Sequence, residues 1–342
     1  MMMLPCWAAA MSSRAGPAHR LPSTPPRSVR PMKNRHHKVS TLDGSGIFGN
    51  TVSIMVPRRA AYDYIDADSR FTTVGGANIH YKRAGSGPPV LLLHGSGSSL
   101  HHFDKVAALM SSSFGVIRPD LPGFGLTGPR ADRDYRIGTY TRTVADFLDS
   151  LGVVSTSIVG NSLGGNIAWN FALDYPRRVQ RLVLVNATGY PGKSLPLGLR
   201  LARNPVTRPL VRRLVTRSAT ERNLRSAVGP AAASIVDEAM VDRVHAMLTR
   251  EGNQQAFIDF ANTDQADRTA DIRRIAVPTL VLRSADMDAQ YFARDIAGSR
   301  EAVYLGGGHL LPEEAPNWVA DEVSHFLATQ PRTEAADTED RS

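Results

Sequence analysis

The chain has 342 residues and a single cysteine, Cys6. An intrachain disulfide is therefore impossible and cysteine-rich metal sites are excluded, which fits a reducing, cytoplasmic compartment. No apolar run approaches the roughly 20 residues that a membrane helix needs. Acidic residues are almost missing from the first 60 positions, where nine Lys/Arg face Asp43 alone. The other 282 positions hold 31 charges of each sign, so the net charge of +8 belongs to the leader. A neutral remainder does not read as a nucleic-acid binder. With 42% hydrophobic and 21% charged residues, wholesale disorder is excluded.

The leader also holds seven of the 22 prolines and shows no sustained periodicity. Residues 1–65 are expected to be a disordered, basic, proline-rich segment. The apolar start Met1–Trp7 lacks the positive residues of a secretory signal and is interrupted by Pro5. A disordered leader, or a true start at Met32 or Met55, is preferred to an organelle transit peptide. Residues 332–342 read as a short, mostly acidic, disordered tail.

From Phe71 onward the pattern is regular. Residues 71–74 and 78–82 flank a Gly75-Gly76 turn and read as a hairpin. Val90–Leu93 is continuously apolar, as suits a strand buried on both faces. Further strands are expected at 114–117, 155–160, 179–185, 279–282 and 302–305, and helices at 139–151, 163–175 and 318–327. Strands alternating with helices imply an α/β fold with a mainly parallel sheet, and functional loops at the carboxyl ends of its strands. The strand rhythm stops between Asn186 and about Arg274. Residues 187–269 are read as a helical cap, with helices at 199–202, 209–215, 235–248 and 254–260, inserted into a core of residues 66–186 and 270–331.

Gly160-Asn161-Ser162-Leu163-Gly164-Gly165 sits between an expected strand and an expected helix. A sharp strand-to-helix turn lifts a serine hydroxyl clear of the sheet, where a base can take its proton. Gly160 and Gly164 are small because strand and helix pass close together there. The N–H of Leu163, first in its helix, can face a developing oxyanion, aided by the helix dipole. Ser96 N–H, in the glycine loop His94-Gly95-Ser96-Gly97, is the second candidate donor, while His94 itself reads as structural. Of the ten histidines, His309 has the best address, on a glycine turn after the last strand. A carboxylate to orient it is expected after strand 279–282, where Asp286 and Asp288 are both available.

Taken together, five marks resemble the α/β-hydrolase superfamily, its serine-nucleophile, helical-cap, esterase-like branch. They are His94-Gly95; Asp120-Leu121-Pro122-Gly123-Phe124-Gly125; Gly160–Gly165; Val277-Pro278 with its strand; and Gly308-His309 followed by Glu314-Ala315-Pro316. The resemblance covers about Phe71 to Gln330 and implies a triad in the order Ser, Asp, His, with Asp120 structural. The commonest family pattern for the acid, W-G-x-x-D, falls on Met287 here. A variant resembling R-G-x-x-S-D places the acid at Asp288, which is favoured over Asp286. Asn186, where some relatives carry the acid, is not one.

The resemblance implies hydrolysis of a small carboxylic ester through an acyl-enzyme, with no metal or cofactor. An alternative is carbon–carbon bond hydrolysis of vinylogous diketones from ring fission, which the Asn161-Ser162 elbow also resembles. A catalytically weakened ligand-binding protein is a third reading. Residues 193–225 hold nine Lys/Arg against Glu221 alone. That stretch reads either as a solvated basic face or as a source of arginines for an anionic substrate. Phe103, Phe124 and Tyr190 are candidate pocket aromatics, His101 and His102 candidate pocket linings, and Trp169 a core residue.

Overall fold

The computed structural model describes residues 60–191, 197–210, 215–287 and 290–329. Residues 1–59 of the leader, the tail from 330 and residues 288–289 of the loop after β7 fall outside the described residues, whereas the last residues of the expected disordered leader are structured: Ala61–Tyr64 form a 3-10 turn whose Ala61 is buried against Leu126 and Met247. Eight strands form one sheet: β1 Arg70–Val74, β2 Ala77–Ala84, β3 Pro89–Leu93, β4 Gly115–Pro119, β5 Thr156–Asn161, β6 Val179–Val185, β7 Thr279–Ser284 and β8 Arg300–Tyr304. Their order is β1-β2-β4-β3-β5-β6-β7-β8. The first two strands form the expected hairpin, with β2 antiparallel to both of its neighbours, β1 and β4; all pairings from β4 to β8 are parallel.

The apolar strands are explained by burial on both faces. Leu91, Leu93, Ile158, Leu182, Leu184 and Val281 point into one core layer, which includes Phe147, Ile167 and Trp169. Val90, Leu92, Val159, Val183, Val185, Leu280 and Leu282 point into the other, with Phe103, Met110, Val319 and Phe326. Successive side chains alternate faces, so an unbroken apolar run is what a doubly covered strand requires. Each such Leu or Val removed from water stabilises the fold by about 1.5–3 kcal/mol. The covering helices are α1 Asp104–Met110, α2 Ile137–Ser150, α3 Leu163–Asp174 and, near the end, α10 Pro316–Ala328.

Between β6 and β7 the described residues form α4 Leu197–Arg203, α5 Arg217–Ala227, α6 Glu238–Thr249 and α7 Asn253–Asn262, with short 3-10 turns. Helix α5 has no counterpart in the sequence reading. It buries only Thr220 and Leu224, too thin a stripe to show as periodicity, and is started by Thr216, whose Oγ accepts from Ala219 N at 3.1 Å. Of the helix expected at 209–215, the described residues show Pro209 and Leu210 in a 3-10 turn, Arg208–Leu210, and Val215 outside any helix; residues 211–214 lie outside the described residues. Two short helices, α8 Phe292–Asp295 and α9 Leu311–Glu314, complete the chain. Among the described residues no helix is long and apolar enough to cross a membrane.

Strand β3 lies between β4 and β5, so the chain leaves it toward opposite sides of the sheet. The loops after β3 and β5 therefore meet at a crevice, the usual ligand position in an open parallel sheet.

Candidate active site

One residue, Ser162, joins β5 to α3, at φ 53° and ψ −113°. For a residue with a Cβ this conformation costs about 1–3 kcal/mol, and it persists only where surroundings impose it. Those surroundings are visible. Ser162 N donates to Val185 O at 3.1 Å, and Ser162 O accepts from Asn166 N at 3.0 Å and Thr188 N at 3.2 Å. A Cβ on Gly160 would stand 2.3 Å from Gly164 O, and one on Gly164 would stand 2.0 Å from Leu93 O. Helix α3 can begin directly over the strands only because neither position has a side chain.

The loop after β3 lies against this turn. A Cβ on Gly95 would meet Ser162 Cβ at 3.2 Å and Asn161 Oδ1 at 3.3 Å. Ser96 follows, half-buried. Among the described residues, no backbone acceptor takes the N–H of Ser96 or of Leu163.

His94 is fully buried with both ring nitrogens engaged. Leu121 N can only donate, so Nε2 at 2.9 Å must accept and the proton sits on Nδ1, which donates to Gly95 O at 2.8 Å. Burial holds its pKa down at about 4, against the opposing pull of Asp120. The neutral ring thus braces the glycine loop. Asp120 accepts from Leu100 N, Leu126 N and His80 Nδ1 at 2.7–2.8 Å. Burial alone would raise its pKa, but the hydrogen bonds from His80 and from the Leu100 amide outweigh it and leave the carboxyl below its ordinary value.

His309 is brought to the elbow by its backbone. Its carbonyl accepts from Asn161 Nδ2 at 3.3 Å and Asn186 Nδ2 at 3.4 Å. The preceding carbonyl, of Gly308, accepts from Asn186 Nδ2 at 3.0 Å and Ser284 Oγ at 2.5 Å. Asn186 Oδ1 accepts from Ser284 N at 3.0 Å, so this amide bridges the ends of β6, β7 and the histidine turn. To do so Asn186 adopts φ 41°, a left-handed conformation that Asn tolerates better than most residues. The sequence reading noted only that Asn186 is not an acid; its bridging role needs contacts about 100 residues apart. Of the two candidate acids, Asp286 is exposed on the turn after β7, and Asp288 lies outside the described residues.

Three other expectations are settled by position. Phe103 and Phe124 are core residues rather than pocket walls, and Trp169 is core as expected. Tyr190 is half-buried, its hydroxyl donating to Asp295 Oδ2 at 2.8 Å. In the basic stretch, Arg200, Arg203, Arg208, Arg222 and Arg225 are exposed and Arg217 pairs with Asp242 at 2.6 Å; Lys193, Arg212 and Arg213 are outside the described residues. A half-buried cation of the insertion with partners in the core is instead Arg243, on α6. It pairs with Glu313 at 2.6 Å and donates to His101 O at 3.1 Å. His102 Nδ1 shares Glu313 at 3.2 Å. Burial opposes ionisation of Glu313, yet His102 and Arg243 together leave its pKa below the ordinary value.

Comparison with known proteins agrees with this geometry. The family model described as alpha/beta hydrolase fold matches residues 88–316. An uncharacterized protein of Mycobacterium tuberculosis is 30% identical over 294 residues, covering 79% of this chain and 84% of its own. A 2-hydroxy-6-oxononadienedioate/2-hydroxy-6-oxononatrienedioate hydrolase of Paraburkholderia phymatum is 31% identical over 242 residues, covering 64% of this chain and 80% of its own. The crystal structure of a hydrolase from Pseudomonas aeruginosa superposes with a TM-score of 0.63 at 26% identity, covering 78% of this chain and 100% of that one. By the match across its sheet, its elbow and its histidine turn, the chain belongs to the alpha/beta hydrolase family.

Proposed function

We propose that this hydrolase cleaves a carboxylic ester by nucleophilic catalysis at Ser162. The observation that carries the reading is the forced left-handed serine between β5 and α3, with the His309 turn hydrogen-bonded to its neighbour Asn161. Backbone strain at a serine between strand and helix, held by tight glycine packing, is what a nucleophile lifted off the sheet requires. Ser162 Oγ attacks the ester carbonyl while His309 takes its proton. The oxyanion is held by Leu163 N–H, at the positive end of α3, and by Ser96 N–H. His309 then gives the proton to the departing alkoxide, leaving an acyl-enzyme. Water, deprotonated by His309, attacks the acyl carbonyl, and collapse of the second oxyanion frees the acid and Ser162. A carboxylate after β7 orients the imidazole, Asp288 by preference over the exposed Asp286. The helices between β6 and β7 act as the cap that selects the acyl and alcohol parts.

The exposed arginines of residues 198–225, and the engagement of Arg243 by Glu313, favour a neutral substrate over an anionic one. A second reading is carbon–carbon bond hydrolysis of a vinylogous diketone. It is favoured by relatives such as the Paraburkholderia phymatum enzyme and a 2-hydroxy-6-oxo-2,4-heptadienoate hydrolase of Pseudomonas putida.

The test is turnover of short p-nitrophenyl esters beside loss of the absorbance of a 2-hydroxy-6-oxo-dienoate. Wild type, Ser162→Ala, Asp286→Asn and Asp288→Asn are assayed together. Ester turnover that falls about 10⁴–10⁶-fold in Ser162→Ala supports the first reading. Dienoate cleavage far faster than ester cleavage moves the assignment to the second. Turnover of either substrate that survives in Ser162→Ala refutes the serine mechanism.

A further inference from the structure

The turn that carries His309 is held by one carboxylate. Glu314 Oε2 accepts from Gly308 N at 2.7 Å, and Glu314 Oε1 accepts from Leu310 N at 2.7 Å. The backbone amides of the residues on either side of His309 thus end on the same side chain. Glu314 Oε2 also accepts from Gly229 N at 2.8 Å, and Gly229 belongs to the insertion, just after α5. Three charge-assisted bonds from rigid backbone donors fix a carboxylate in both position and orientation.

The insertion meets this turn at three more points. His309 N donates to Ala227 O, the last residue of α5, at 2.6 Å. The side chain of Leu310 packs against the insertion's own apolar cluster of Leu224, Val236, Met240 and Val241. Gly229 and Gly308 interlock so closely that a Cβ on Gly229 would stand 2.1 Å from Gly306 O, and one on Gly308 would stand 2.4 Å from Ala227 O. Next to it in sequence, Glu313 holds Arg243 of α6. Helix α9 therefore presents two adjacent glutamates, one gripping the insertion through a guanidinium, the other through the Gly229 amide with a carboxylate that also holds the histidine turn.

We infer that Glu314 is a positioning residue for His309, and that it ties the base to the cap, so that a shift of α5 moves the imidazole. The inference rests on the reading of His309 as the general base. It gives the cap a mechanical path to the catalytic centre that does not pass through substrate. Glutamine at 314 has the same volume but one acceptor oxygen instead of two. Whichever way its amide faces, an NH2 group points at a backbone N–H that needs an acceptor.

The experiment measures kcat and KM for a p-nitrophenyl ester in wild type and Glu314→Gln, with the rate of fluorophosphonate labelling at Ser162 and the thermal midpoint of each. A displacement of about 1 Å at a reacting group can cost about 10²-fold, so kcat and the labelling rate should each fall by about 10- to 100-fold with KM changed less than about threefold. A folded Glu314→Gln protein with kcat within twofold of wild type overturns the inference. So does a loss confined to KM. If Glu314→Gln does not fold, amide exchange in the wild type decides. Gly229, Gly308 and Leu310 should open as one unit, and a Gly229 amide that exchanges independently of the other two refutes the tie. Wild type without Ser162-dependent labelling refutes the serine reading instead, a result independent of position 314.

Discussion

Asn186 offers the most direct check on how the histidine turn is held. Its side chain is buried, accepts from Ser284 N at 3.0 Å and donates to Gly308 O at 3.0 Å. Asn186→Ala removes both bonds at once. Gly308 O keeps Ser284 Oγ as a donor, so its loss is partial. Ser284 N–H keeps nothing comparable, and a buried donor left without an acceptor costs about 1–3 kcal/mol. Alanine must also hold φ 41°, a conformation that costs a residue with a Cβ about 1–2 kcal/mol and that Asn relieves by local hydrogen bonding. The sum is about 2–5 kcal/mol. Asn186→Gly loses the same bonds but not the backbone term, so it should be about 1 kcal/mol more stable than Asn186→Ala even though glycine loses more chain entropy on folding. Urea unfolding of the three proteins reads these differences as midpoint shifts at constant slope. An Asn186→Ala protein as stable as wild type, or Asn186→Gly less stable than Asn186→Ala, would refute this account of the turn. Turnover should fall with stability in both variants, since the carbonyls of Gly308 and His309 lose their shared donor.

Two further outcomes follow from close packing and from burial. Gly164→Ala drives a methyl to 2.0 Å from Leu93 O, backbone against backbone, and should cost about 3 kcal/mol or more along with turnover, whereas Gly138→Ala in α2, whose nearest neighbour is a flexible guanidinium at 3.9 Å, should stabilise by about 0.5–1 kcal/mol; denaturation curves giving both substitutions the same sign would sink the packing argument. His94 has its folded pKa lowered from 6.5 to about 4, so the unfolded chain binds the extra proton between those values, and stability present above pH 6.5 is lost as pH falls toward 4. Between pH 7 and pH 4.5 this group should remove about 2–3 kcal/mol, read by urea unfolding, with the folded ring still mostly neutral by NMR at the lower pH. A His94 resonance that titrates near 6.5 in the folded protein would contradict the assigned tautomer and its burial.

What could be read from the sequence was whatever local spacing encodes. The apolar runs 90–93, 179–185 and 279–282 could be recognised as doubly buried strands because a covered parallel strand has no polar face to alternate with. Gly160, Ser162 and Gly164 were readable because a single-residue strand-to-helix turn demands small neighbours at fixed offsets. His309 could be singled out by its glycine turn after the last strand. Helix α5 escaped because a surface helix resting on two buried residues leaves no periodic trace. Tertiary structure alone decided the rest. Asn186 and Ser284 reach the histidine turn from the ends of β6 and β7, and Glu314, close to that turn in sequence, also holds Gly229 of the insertion; hydrogen bonds between segments this far apart leave no pattern along the chain. The same holds for the cations: composition marked residues 193–225 as basic, but only packing showed that the described arginines among them face solvent or a surface partner while the half-buried Arg243, inconspicuous in sequence, pairs with Glu313.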